Sequence, residues 1–322
     1  MKLFFSTIIP FGLWATVCHG QISVSIQAGK DSSSSNVLAS GYLKHIITDS
    51  EAKSFKLGPE NVLRNDWEAY YGKAPNDAYL HTSSGNWGNL YELYNWPQVE
   101  TTLTVVSAEI LGIESKPTIL ATKILENDSD FNATFTADIS SDVQQTITST
   151  WSQTNSFTQG QEINYGVQFD GIGVGGKTTM SYTEEAMEGG SKSKSTTVGS
   201  SSGVSVNLQP HQKVEAILSA SQGTMTVKIN YRVSLSGCSA VNYGADGYRG
   251  HHFYCAPVGN IMETIGVSND ISTSETIQLN YFANGSVQLK NLSTGESQDI
   301  TTSLGEFADS EQSSRRLRRR VW

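Results

Sequence analysis

The sequence predicts a mainly β protein, an elongated antiparallel β body with a small mixed α+β head at its N-terminal end. Three observations carry this. Beyond Thr101, segments such as TTLTVVSAEILGI, NATFTADI and VQQTITSTWSQTNSF are rich in Thr, Ser and β-branched residues and run in period-two stretches. Helical periodicity is missing there, whereas GPENVLRNDWEAYYGKAP, within the first hundred residues, is able to hold a short helix. Later runs alternate over lengths unusual for a globular domain, as at Val227, Ile229, Tyr231, Val233 and Leu235.

Taken in order, residues 1–20 read as a secretory signal: Lys2, an apolar run from Leu3 to Val17, then the small residues Cys18 and Gly20. The mature chain is then extracellular. Residues 21–100 form the head, which crowds Trp87, Tyr91, Tyr94 and Trp96 among Gly and Asn. Residues 101–300 form the β body, where Asn284-Gly285 between two alternating runs signals a hairpin turn. Residues 301–322 are a tail with Arg315, Arg316, Arg318, Arg319 and Arg320, read as a processing site, an anionic-surface contact or a disordered end.

The formal net charge of −9 makes nucleic acid a poor partner. Once Cys18 leaves with the signal, Cys238 and Cys255 remain, and an oxidising compartment makes one disulfide the default. Four N-x-[ST] sequons, at Asn127, Asn132, Asn284 and Asn291, fit a secreted glycoprotein. After the signal, no apolar run approaches the roughly 18 residues of a spanning helix, so a bilayer would be crossed only by strands closing into a barrel.

The segment 157–183 is the most informative. A two-residue turn at Asp170-Gly171 sets Phe169 opposite Ile172 and Val167 opposite Val174. One face then receives Phe157, Ile163, Tyr165, Val167, Phe169, Ile172, Val174, Met180 and Tyr182, and the other receives Gly, Ser, Thr, Asn and Gln. Such a hairpin either covers a protein core or spans a membrane with lipid on its apolar side, for which its strands are long enough.

These stretches, with WPQVETTLTVVSAE before them and VNLQPHQKVEAILSASQGTMTVKINYRVSLSG after, resemble the aerolysin-like β-pore-forming family over about Trp96 to Ser236. The likeness is to the branch of epsilon toxin and the mosquitocidal toxins, with secreted eukaryotic relatives among spherulins and insect follicular-epithelium yolk proteins. It implies a soluble secreted monomer that assembles into a ring on a target membrane and refolds a tucked hairpin, here 157–183, into a share of a barrel. An aspartate at Val167 or Phe169 is then expected to spare folding and abolish permeabilisation. Gln209-Pro210-His211-Gln212-Lys213-Val214 resembles the family's step into the following strand and is assigned a structural role.

The partners implied are membrane lipid, further copies of the chain, and a glycan or protein receptor met by Trp87, Tyr91, Tyr94, Tyr248 and Arg249. For each aromatic the alternative is a place in the head core. There is no H-E-x-x-H; the Gly-rich run Gly171–Gly176, with Lys177 and Thr178 after it, lies in a hairpin without the strand-to-helix context of a phosphate loop, and the G-x-S-x-G string Gly199–Gly203 lies in a Ser-rich run without that of a nucleophile elbow, so neither catalysis nor a cofactor is expected. The alternative function is a structural or storage glycoprotein that keeps the fold without the pore.

Overall fold

The computed structural model describes residues 20–83, 85, 87–152, 162–170, 178–185 and 190–300. Its body is built from long strands: β4 (Glu100–Glu126), β5 (Ala133–Trp151), β8 (Gly190–Leu208), β9 (Lys213–Ser236) and β12 (Ile271–Asn291). With 27 residues, β4 would reach about 90 Å if straight. The alternation legible in the sequence is the alternation of burial. In β9, Met225, Val227, Ile229 and Val233 are fully buried while their neighbours are half-exposed.

Two further strands come from the N-terminal end. β1 (Ile22–Ala28) and β2 (Asn36–Ile46) form a hairpin, and β2 pairs with β4 over Glu100 to Thr104. The full sheet reads β7-β6-β1-β2-β4-β9-β12-β5-β8, where β6 is Glu162–Phe169 and β7 is Thr178–Glu185. The short β13 (Ser297–Asp299) is added on β12. The sheet is antiparallel with one exception: β6 lies parallel to β1.

β5 pairs with β12 only from Thr146 to Trp151. Further along, β5 and β8 pack against β4, β9 and β12 through a second apolar cluster of Leu125, Ile139, Val204, Leu208, Val214, Leu218 and Val287.

The head is assembled from two separated stretches of chain. β3 (Asp77–Tyr79), β10 (Cys238–Asn242) and β11 (Phe253–Pro257) make a three-stranded sheet, so β1 and β2 belong to the body instead. The Cys238–Cys255 disulfide joins β10 to β11. Around the sheet lie α1 (Asp49–Ser54), α2 (Glu60–Tyr71), α3 (Leu90–Tyr94) and α4 (Val258–Thr264). Thr48 and Glu51 cap α1 reciprocally, and Gly72 at φ +92° ends α2. Trp67 of α2 is buried and donates its indole N–H to Ser239 Oγ at 2.9 Å, fastening helix to sheet.

Asn284-Gly285 does not turn the chain. β12 continues through it, and the pairing with β9 skips between Ala283 and Ser286, so the pair is a bulge with Asn284 at φ +52°. β9 on one side offers a continuous partner for both flanks, and that long ladder overrides the local turn preference. β4 carries three bulges of its own against β9, at Val105/Ser107, Ile110/Gly112 and Ile119/Ala121.

Gly223 in β9 lies where a Cβ would stand 2.7 Å from the ring of Tyr281, whose hydroxyl is tied to the Gly29 carbonyl. Gly223→Ala is expected to lower stability by about 1–3 kcal/mol through overpacking, read as a fall in the denaturation midpoint; an unchanged midpoint would show that the ring moves freely.

Candidate functional site

The hairpin β6–β7 leaves the body at Trp151, where β5 ends, and rejoins it at Gly190, where β8 begins. β5 and β8 pair with each other along their whole length, so the segment between them is an excursion from a continuous two-stranded ladder. It folds back and lays β6 on β1 through seven residue pairs, Ile22↔Ile163 to Ala28↔Phe169. Asp170 N–H continues the pattern to the Ala28 carbonyl.

Ile163, Tyr165, Val167 and Phe169 are thereby buried in the main core with Ile22, Val24, Ile26 and Ala28. Each is worth about 1.5–3 kcal/mol of burial. The apolar face thus serves the protein's own core in this state. An aspartate at Val167 or Phe169 would be buried without a partner and would cost folding first, so the expectation that it spares the fold is corrected.

The pairing within the hairpin also differs from the expected one. Phe169 faces Thr178, Val167 faces Met180 and Tyr165 faces Tyr182. Phe169 was expected opposite Ile172, so the ladder is displaced by six residues, an even number that keeps Met180 and Tyr182 on the apolar side. Phe157, Gly171, Ile172 and Val174 lie outside the described residues.

Beneath the hairpin sits Glu275 of β12, with no exposed surface. Its Oε1 accepts hydrogen bonds from Ser149 Oγ at 2.5 Å and Tyr165 Oη at 2.8 Å, and its Oε2 accepts one from Tyr231 Oη at 2.9 Å. Desolvation raises its pKa, against the lowering effect of the three donors. Burial likewise pushes Tyr165 and Tyr231 up, with the nearby Glu275 charge adding to it. Tyr182 stacks on Tyr165 at 4.8 Å between centroids, and Lys194 Nζ lies 4.4 Å above the Tyr182 ring while pairing with Glu184 at 3.7 Å. The sequence reading missed Glu275, Ser149 and Tyr231. The signal was there, since Thr273, Glu275, Ile277, Leu279 and Tyr281 are the inward set of β12 and only one carries a charge.

The aromatic candidates in the head divide. Tyr91 is buried, its hydroxyl donating to the Tyr79 and Cys238 carbonyls, so it is a core residue and not a surface contact. Trp87 and Tyr94 are exposed and meet Phe253, with Tyr94 stacked on Trp96 at 4.6 Å. Tyr248 and Arg249 lie elsewhere on the head, Arg249 resting over the rings of Tyr71 and Tyr248 at 4.5 and 5.1 Å.

Among the sequons, Asn127 is buried. Its amide nitrogen donates to the carbonyls of Phe131, Leu208 and Gln209, and its backbone N–H to that of Gln212, pinning the turn 209–212 to the end of β4. Asn132 and Asn284 are exposed and Asn291 is half-buried.

A long β body that carries a folded-back amphipathic hairpin between two paired strands is an aerolysin-like β fold. Among solved structures, parasporin-2 of Bacillus thuringiensis has this fold, with a TM-score of 0.54 and 16% identity over 80% of this chain and all of that one. No protein-family profile matches the chain. U-megalopygitoxin(8)-Mc8 of Megalopyge crispata is 30% identical over 87% of this chain and 95% of its own length. U-megalopygitoxin(8)-Mo12 of Megalopyge opercularis is 31% identical over 75% of this chain and 82% of its own. The chain belongs to the U-megalopygitoxin(8) family.

Mapping of N-glycans on protein expressed through a eukaryotic secretory pathway is expected to find Asn127 unmodified. Asn127→Ala would remove the three amide bonds, although the Phe131 and Gln209 carbonyls keep Ser129 Oγ and the Gln212 N–H as donors, and is expected to destabilise by about 1–3 kcal/mol; a glycan at Asn127 would contradict the buried arrangement.

Proposed function

We propose that the protein is a secreted, non-catalytic toxin that binds a cell surface, assembles with further copies of itself and inserts the 157–183 hairpin into the membrane as part of a β-barrel. The observation that carries this reading is a mismatch of register. Trp151 pairs with Gly190, and Ala133 with Leu208, in one unbroken ladder. Continued inward from Trp151 and Gly190 one residue at a time, that ladder brings Asp170 against Gly171, a two-residue turn of the kind Asp-Gly favours. The docked hairpin is six residues out of step with it.

Released from β1, the segment would form one hairpin from Ala133 to Leu208 without altering a single β5–β8 pair. Because the displacement is even, the same residues keep the same face. Ile163, Tyr165, Val167, Phe169, Met180 and Tyr182 would exchange core for lipid, Phe157, Ile172 and Val174 would join them on the lipid face, and each strand would exceed the 9–11 residues that a tilted spanning strand needs. The family's toxin names and the aerolysin-like fold support the same reading. Trp87, Tyr94, Tyr248 and Arg249 are the candidate contacts for a glycan or protein receptor.

Asn164 and Thr183 face each other in the docked register only, on the exposed side, with their side chains 3.1 Å apart. In the released register Asn164 would face Lys177. A disulfide in the double variant Asn164→Cys, Thr183→Cys is expected to abolish dye release from liposomes or cells when oxidised, with recovery on reduction and no change in a wild-type control given the same reductant. Release by the oxidised variant at the wild-type rate would refute the register change. No release by folded wild-type protein under any condition would favour a structural glycoprotein. Trp87→Ala with Tyr94→Ala is expected to lower cell binding at least tenfold while the denaturation midpoint stays constant; unaltered binding would remove this surface from the receptor site.

A further inference from the structure

Glu275 is a charged group in a place where an apolar one would pack. It stands on the inward face of β12 between Thr273 and Ile277, wholly buried, and among the described residues it pairs with no cation. Its hydrogen-bond donors come from three other strands: Ser149 from β5, Tyr231 from β9 and Tyr165 from β6. Only the last belongs to the hairpin. The carboxyl group therefore lies across the joint that must open when the hairpin leaves.

We propose that Glu275 couples the docking of the β6–β7 hairpin to a proton: protonated, it holds the hairpin on the body, and ionised, it favours release. The inference rests on the release of the hairpin proposed above. Three hydroxyl donors satisfy a carboxylate in part, but a buried anion without a cation also carries a desolvation penalty that they do not remove. When β6 and β7 depart, Tyr165 and Tyr182 no longer cover it and water reaches the carboxylate.

The other ionisable groups around it do not reverse this. Tyr165, Tyr182 and Tyr231 stay neutral, their pKa values all raised by burial. Glu184 of β7 adds a like charge that raises Glu275 further, and Lys194 of β8 is engaged with Glu184 and the Tyr182 ring.

The sign follows from linkage. The pKa of Glu275 in the docked state lies above the ordinary carboxylate range, and release returns it towards that range. Docking is then fully favoured at pH below the ordinary value and weakens as pH rises through the raised one, by up to about tenfold in the open population per pH unit inside that window. Acid thus closes this joint and neutrality loosens it.

The test is amide hydrogen exchange of β6, measured without any membrane and referred to Val227–Val233 of β9 in the same molecule. In wild-type protein the relative protection of β6 is expected to fall as pH rises above about 4.5, up to tenfold per unit. In Glu275→Gln, which keeps the shape and stays neutral, protection is expected to be high and flat. A slope that persists in Glu275→Gln, or a flat wild-type profile, would overturn the proposal.

Should Glu275→Gln not fold, Ser149→Ala carries the test: it removes one donor from the ionised form, so the slope is expected to extend to higher pH, and an unchanged profile would count against the coupling. Because no bilayer is involved, these outcomes are separate from dye release. A pH-dependent β6 in a protein that never permeabilises liposomes would sustain the coupling and sink the pore.

Discussion

Seven consecutive residue pairs join β6 to β1, and around them Ile22, Val24, Ile26, Ile163, Val167 and Phe169 are withdrawn from water. Burial of the apolar face and satisfaction of the β6 backbone are achieved by the same contact. Neither can be given up piecemeal, since a β6 strand peeled from β1 exposes both a row of amide groups and a row of large side chains. The folded molecule is stable because a segment near its N-terminal end supplies what the hairpin would otherwise seek elsewhere. This makes β1 as much a part of the candidate site as the hairpin itself.

In the proposed mechanism, continuation of the β5–β8 register and the docked register would compete for the residues of the hairpin. The β5–β8 ladder and the docked β6–β7 ladder each satisfy their own backbone groups, yet they cannot be continued into each other. What would select between them is the environment of the apolar face. In water the body provides the apolar surroundings; at a membrane the hydrocarbon would provide them. Glu275 lies under the docked hairpin, where, as proposed, it would add an electrostatic bias to a contest otherwise decided by apolar burial and hydrogen bonding.

Alternation made most of the body legible from sequence, because a strand with one buried face must show period two. The apolar face of the hairpin was legible for the same reason, and parity protected it even though the turn was misplaced. Pairing partners were not legible. Nothing in ISVSIQA marks it as the parallel neighbour of EINYGVQF, since parallel pairing depends on distant chain and leaves no local turn signal. Asn284-Gly285 carried a strong local signal that a long ladder overrode. Tyr91 and Tyr94 look alike in sequence, three positions apart on α3, yet one hydroxyl is spent on two carbonyls inside the head while the other ring stands at the surface.

The three bulges in β4 have a consequence for the protein in solution. Beyond Thr104, β4 has left β2 and, among the described residues, has β9 as its one ladder partner, so its other edge carries open hydrogen-bonding groups. Val106, Leu111, Ile119 and Ile124 are exposed along the same strand. A straight edge of that length with those side chains would invite a second molecule to zip on. Each bulge breaks the repeat and twists the strand, so an incoming strand would need interruptions at the same three places. The irregularity works against edge-to-edge association, and β9 continues as the partner of β4 through every insertion.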